Sequence, residues 1–256
     1  IQDYLEGVGR GLKIVNPPLP VLAMPTTAGT GTEATKNAVI SSYDPPFKKS
    51  IRDERLVPRI ALIDPELTVS VPPSVTAASG MDAITQLLES YLSRKAQPIP
   101  RALATQGLRM ALPAVAEAVR DGSSRSARER MAHAALLSGM ALANSGLGMA
   151  HGVAAALGVH ARVPHGAACA LMLPVALRVN REVCKEELAK LAHLLYGKGP
   201  STSPEEAADV LIREIDSLCG KVGVPRRLAD VGVRREQIPA IVESSRGSSM
   251  SGNPRE

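Results

Sequence analysis

The chain has 256 residues, 45% hydrophobic and 21% charged, which is enough for a sizeable core in one or two domains. Its net charge is only +5, acids are interspersed among the bases, and no basic stripe carries aromatics, which argues against nucleic acid as a partner. Aromatics make up 2% with no Trp, so Leu, Val, Ile, Met and Ala must fill the core, and helices rich in Ala and Gly can approach closely.

The chain opens at Ile1 with neither an initiator Met nor a basic-then-apolar signal region, and reads as the middle of a protein. Pro and Gly break residues 1–70 into short apolar runs. PVLAMP (20–25), NAVI (37–40) and RIALID (59–64) are predicted as short strands, the last one buried and ending at Asp64-Pro65. The first two enclose PTTAGTGTEAT (25–35), where glycines let a backbone approach a ligand and hydroxyls offer partners to phosphate or ribose oxygens. Gly29, Gly31 and Ala34 also satisfy a G-x-G-x-x-A spacing, a weak signal beside Pro25 and so many threonines. A plain polar loop between strands explains the same residues equally well. Lys48 and Lys49 suit either a solvated strand edge or a cation beside a cofactor.

The double proline at 72–73 marks a change of regime, and helical spacing dominates beyond it. Ile84, Leu87, Leu88, Tyr91 and Leu92 form one stripe, leaving Asp82, Gln86 and Glu89 on another face. Further helices are predicted at about 101–120, 126–145, 149–159, 166–180, 185–196 and 204–221, with Ser126 and Glu129 as a capping box for the second. Gly122, Gly146, Gly197 and Gly223 punctuate their ends, and the Ser/Gly/Pro-rich stretch 244–256 is expected to fray. No run of roughly 18 apolar residues occurs, so no membrane span is predicted. Cys169, Cys184 and Cys219 form no CxxC pair and are odd in number, which points to a reducing cytoplasm.

Five histidines divide by context. His133 and His193 sit in Ala/Leu helical patterns and read as packed or half-exposed residues. His151 lies among small neighbours, and His165 follows Pro164 at a helix entry, 14 residues later. Taken singly, each is more often structural than a ligand. Asp82 and Gln86, four apart, project from one helix face, and a buried Asp82 needs a partner. A carboxylate plus imidazoles from separate helices is a constellation suited to iron or zinc. His160 is a third, weaker candidate.

PTTAGTGTEAT, DPELT (64–68), GMDAITQLLESYLS (80–93), HGVAAALGVHARVPHG (151–166), GVPRRLADVGV (223–233) and NPR (253–255) together closely resemble the iron-containing (group III) alcohol dehydrogenases over essentially the whole chain. The resemblance implies an α/β remnant plus an all-α part, in a dehydroquinate synthase-like architecture with a C-terminal helical metal-binding domain. Residues 1–71 would be the C-terminal part of the nucleotide-binding α/β domain, and 72–256 the helical metal and catalytic domain. It implies a metal-dependent oxidoreductase passing hydride between an alcohol, aldehyde or ketone and NAD or NADP, cytoplasmic and homo-oligomeric (a dimer), free of nucleic acid and membrane. By the same resemblance Asp82, Gln86, His151 and His165 are the metal positions for Fe²⁺ or Zn²⁺. His151, His165 and His160 are the catalytic candidates, His160 as a proton route. Thr26, Thr27, Gly29, Thr30, Thr35, Lys48 and Leu67 border the cofactor, Leu67 at its adenine end.

Four departures from the family pattern stand out. Gln86 replaces the first ligand histidine, Ala155 replaces the second histidine of HxxxH, and Cys169 replaces an asparagine usual after PHG. The Gly-Gly-Gly-Ser-x-x-Asp turn that grips pyrophosphate is not in this chain and is expected upstream of Ile1. Gln86, Ala155 and the missing turn keep open a degenerate or truncated member without activity; a dehydroquinate synthase-like NAD-using lyase on a related fold is a second rival, over which PTTAGTGTE and PHG favour the alcohol dehydrogenases.

Overall fold

The computed structural model describes residues 1–197 and 203–255. Among them every strand falls between residues 22 and 61 and every α-helix between 73 and 244. Strand β1 (Leu22–Ala23) pairs in parallel with β4 (Ile60–Ala61). Strands β2 (Asn37–Tyr43) and β3 (Pro46–Arg52) form an antiparallel hairpin, Asn37 opposite Arg52 and Tyr43 opposite Pro46. The segment 59–64 was expected to be a buried strand, yet Ile60 is 53% and Leu62 44% exposed. Among the described residues its sheet partner is the two-residue β1, too short to make this segment a buried inner strand. Strand β3 carries no apolar alternation, because the inward positions Lys48 and Ser50 are polar.

Among the described residues seven α-helices follow: α1 (Pro73–Leu92), α2 (Pro98–Arg120), α3 (Arg125–Ser145), α4 (Met149–Ala161), α5 (His165–Tyr196), α6 (Pro204–Lys221) and α7 (Ile238–Ser244). Helix α1 is the axis of the bundle. Its apolar stripe joins Leu108 and Val115 of α2, Met131 of α3 and Leu173 of α5 in the main core, and every residue from Met81 to Leu92 is buried. The face that carries Asp82, Gln86 and Glu89 is therefore covered too, although its periodicity alone reads as solvent-facing.

The two helices expected at 166–180 and 185–196 are one. The polar run between them faces other elements instead of ending the helix: Asn180 donates to Asn253 Oδ1 at 3.0 Å, and Arg181 bonds Asp209 of α6 through two nitrogens. The same contact corrects the expectation that 244–256 frays. Asn253 is 5% exposed and accepts from the Met149 N–H at 3.1 Å, docking the tail against the start of α4; Glu256 lies outside the described residues. The cap of α3 is Ser124, which accepts from the Ala127 N–H at 3.4 Å, not Ser126. No single helix among the described residues is long and apolar enough to cross a membrane.

Arg128 on α3 fastens the entry of α1. Buried to 3% exposure, it donates to Gly122 O (2.9 Å), Thr76 Oγ1 (2.9 Å), Val71 O (3.1 Å) and Val69 O (3.4 Å). Bonds from a charged donor are worth about 1.5–3 kcal/mol net. Arg128→Met, which keeps most of the stem, should therefore lower unfolding free energy by about 1.5–3 kcal/mol. Urea denaturation checks this, and an unchanged midpoint would mean that the guanidinium contributes nothing.

Candidate metal centre

The centre is assembled by three helices. Asp82 projects from the middle of α1, His151 from the first turn of α4 and His165 from the first residue of α5. The approach of α5 to α1 depends on Gly166, where a Cβ would sit 2.4 Å from the Ala78 carbonyl oxygen. A side chain there would hold His165 away from Asp82.

Asp82 Oδ1 lies 3.3 Å from His151 Nε2 and 3.9 Å from His165 Nε2, and the two imidazole centroids are 5.6 Å apart, inclined at 62°. Helix α5 adds Cys169 one turn after His165, its Sγ 3.7 Å from His165 Nε2. Donor atoms from Asp82, His151, His165 and Cys169 all lie within 4.8 Å of one another, the arrangement a single metal ion requires. Asp82 Oδ1 and His151 Nε2 are both buried with no hydrogen-bond partner. Unsatisfied buried polar atoms are costly, and a cation between the two would satisfy both. The donors present therefore fit a divalent metal.

Glu89, two turns after Asp82 on α1, holds His151 in place. Its buried carboxylate accepts from the Ala150 N–H at 2.6 Å, at the N-terminus of α4, and from His151 Nδ1 at 2.7 Å. A carboxylate suits the positive end of a helix, and a bond at Nδ1 leaves Nε2 facing Asp82 for a metal. Glu89 was not expected in the site. The signal was available in its seven-residue spacing from Asp82, on the face that also carries Gln86.

The two imidazoles are electrostatically unlike. Burial foremost pushes His165 down to about 4, helped by the positive charges of Lys48 and His151 and opposed by Asp82, so its ring is neutral near pH 7. Burial alone would also strip the proton from His151. The Cys169 sulfur and the Asp82 and Glu89 carboxylates outweigh it and raise His151 well above its usual value. Since burial pushes the Cys169 thiol up to about 12, that sulfur is uncharged near neutrality, and the carboxylates supply the effect there. Asp82 is held low: burial works against its charge, and His151 and His165 overcome that.

The remaining expected site residues fall in five places. Gln86 is buried on α1, and its amide oxygen accepts from the Ser138 hydroxyl at 2.7 Å. His160, at the far end of α4, has its Nε2 2.6 Å from Ser244 Oγ and does not join the donor cluster. The threonine loop crosses α1 just before the centre: Gly29 packs on Ser79, three residues before Asp82. Within it Thr26, Thr27 and Thr30 are exposed, Thr30 Oγ1 accepts from the Thr32 hydroxyl at 3.0 Å, and Thr35 is buried, donating to Thr32 O at 3.1 Å. Lys48 and His165 line one cavity of about 210 Å³ together with Tyr43, Phe47, Val159 and Arg162. Burial pushes the Lys48 ammonium down, and Cys169 and Asp82 work in the opposite direction. Leu67 is half-buried in a short 3-10 turn, Pro65–Thr68, that packs against α3.

Comparison with known proteins agrees with this architecture. Residues 76–256 match the model of the Fe-containing alcohol dehydrogenase family, C-terminal part, and residues 1–65 that of iron-containing alcohol dehydrogenase. A 1,3-propanediol dehydrogenase of Klebsiella pneumoniae is 37% identical over 243 residues, 94% of this chain and 63% of that protein. The crystal structure of a 1,3-propanediol oxidoreductase superposes with a TM-score of 0.91 at 36% identity, covering 95% of this chain and 64% of that one. A sulfoacetaldehyde reductase from Bifidobacterium kashiwanohense, solved in complex with NAD⁺, gives 0.85 at 30% identity, covering 99% and 65%. The chain thus spans a little under two thirds of the length of the proteins it matches.

Proposed function

Since the chain belongs to the iron-containing alcohol dehydrogenase family, we propose that it serves an NAD(P)-linked oxidoreductase that interconverts small alcohols and their aldehydes or ketones. The observation that carries the reading is the meeting of donors from Asp82, His151 and His165, with Asp82 Oδ1 and His151 Nε2 buried and unpartnered, beside the threonine loop. In this reading Asp82, His151 and His165 hold a divalent ion. When bound, the ion supplies Lewis acidity toward the substrate oxygen and favours the alkoxide form.

The chain's own residues do the rest. Glu89 locks the His151 ring and keeps Nδ1 occupied, so only Nε2 is offered to the site. His165, neutral in its buried position, needs no deprotonation before it acts as a donor. Residues 1–71 form the nucleotide side, with Thr26, Thr27, Gly29, Thr30 and Lys48 at the cofactor, and residues 72–256 form the metal side. A dinucleotide held on the nucleotide side would supply the hydride acceptor or donor for the substrate carbon. Ala155 offers no proton-accepting group, and the ring of His160 is tied to Ser244, so water is the favoured exit for the alcohol proton.

Three measurements test the proposal. Equilibrium dialysis against Zn²⁺ or Fe²⁺ should find one ion per chain, removable by a chelator. Titration with NADH should show saturable binding, and a panel of diols and aldehydes should then be screened for NAD(P)-linked turnover. A protein that takes up neither ion nor dinucleotide is not this enzyme.

A further inference from the structure

The donor set contains one member that the reading above leaves idle. Cys169 is wholly buried, stands one helical turn after His165, and so shares its face of α5. Its Sγ belongs to the same cluster, within 4.8 Å of the donors of Asp82, His151 and His165. The other residue available as a fourth donor, Gln86, already has its amide oxygen committed to the Ser138 hydroxyl at 2.7 Å.

Resting on the metal-centre reading of this site, we infer that Cys169 is the fourth protein ligand and that it makes the centre selective for zinc over iron. The thiol proton and the proton that His151 carries at Nε2 both pass to solvent as the metal binds, so the ligands are a thiolate and neutral imidazoles. One carboxylate oxygen, two imidazole nitrogens and one thiolate form a tetrahedral, borderline-soft set of the type Zn²⁺ prefers, whereas a harder, nitrogen- and oxygen-only set also accommodates Fe²⁺. Charge balance points the same way. Asp82 and a Cys169 thiolate together match the two charges of the ion, while the remaining local charges, Glu89 and Lys48, offset each other. A buried site with no net charge avoids the desolvation penalty that an uncompensated ion would incur.

Cobalt gives a readout independent of turnover. The full chain loaded with Co²⁺ should show a sulfur-to-cobalt charge-transfer band in the near ultraviolet. Cys169→Ser should abolish that band and lower Zn²⁺ affinity by at least the roughly 10–100-fold associated with changes around metal sites. It should also reduce the Zn²⁺/Fe²⁺ preference in competitive dialysis. Cys184→Ala, 15 residues further along α5 and so roughly 22 Å away, should keep the band. Bound Co²⁺ without the band in the unaltered chain, which needs no variant to fold, overturns the assignment of Cys169 while leaving the metal centre standing; a band that persists in Cys169→Ser does the same. No uptake of Co²⁺ or Zn²⁺ overturns the metal centre itself.

Discussion

Replacing Asp82 by asparagine should abolish divalent-metal binding and leave the helical bundle folded. Asp82 Oδ1 is the one carboxylate oxygen that faces both imidazoles, at 3.3 Å from His151 and 3.9 Å from His165. Asparagine keeps its volume in a position that is 2% exposed, so packing on α1 is undisturbed and the change removes charge alone. Breaking a buried ion pair costs about 3–5 kcal/mol when the partner is left uncompensated. His151 is not left so, because Glu89 remains 2.7 Å from Nδ1, and the stability loss should fall below that range. Metal affinity has no such reserve. A ligand lost outright should cost more than the roughly 10–100-fold of second-shell changes, and any dehydrogenase activity should go with it. Zinc titration beside urea denaturation separates the two effects. Wild-type affinity in Asp82→Asn would remove this carboxylate from the site.

How much of this was legible beforehand differs from element to element. The helices were legible because sustained 3.6-residue periodicity runs through α1 to α6, and the motif segments gave the family and its fold. Strand β3 was hidden because Lys48 and Ser50 are polar, so its sequence shows no apolar alternation. The continuity of α5 was hidden because Asn180 and Arg181 read as a break, while their partners, Asn253 and Asp209, are distant in sequence. In the site, Asp82, His151 and His165 were indicated by residue type, family motif and spacing. Glu89 was overlooked because a glutamate on a polar helix face looks solvated until α4 is seen to start on it. Cys169 was noted only as one of three cysteines without a CxxC pair and as a departure from the family, since its value depends on a one-turn spacing from His165 and on a second helix bringing Asp82 opposite.

Gly139→Ala should detach the threonine loop from the bundle, although the same change elsewhere in a helix stabilises. Helix α3 crosses the loop with almost no clearance: a Cβ on Gly139 would stand 2.0 Å from the Gly31 carbonyl oxygen and 2.7 Å from its carbon. The loop cannot turn away easily, because Gly31 is itself left-handed at φ +57° and faces Ala135 O and Gly139 N at 2.5 Å from its own Cβ position. Both contacts are backbone, so no side chain can swing aside. Alanine's better helix propensity returns at most about 1 kcal/mol, whereas overpacking against rigid atoms costs about 1–3 kcal/mol. The clash should win, lowering stability and moving Gly29, Thr30 and Thr35 away from α1 and α3. NADH affinity should fall by roughly tenfold, equivalent to about 1.4 kcal/mol, if that loop bears the cofactor. Gly220→Ala on α6 is the matched control. Its Cβ meets nothing closer than Arg226 Nη1 at 3.4 Å, the far end of a flexible side chain, so propensity should leave it neutral or slightly stabilised. Denaturation midpoints and NADH titrations on the two variants check both signs. Equal behaviour of the pair would show that the loop does not depend on its seat against α3, and unaltered NADH binding in a destabilised Gly139→Ala would place the cofactor elsewhere.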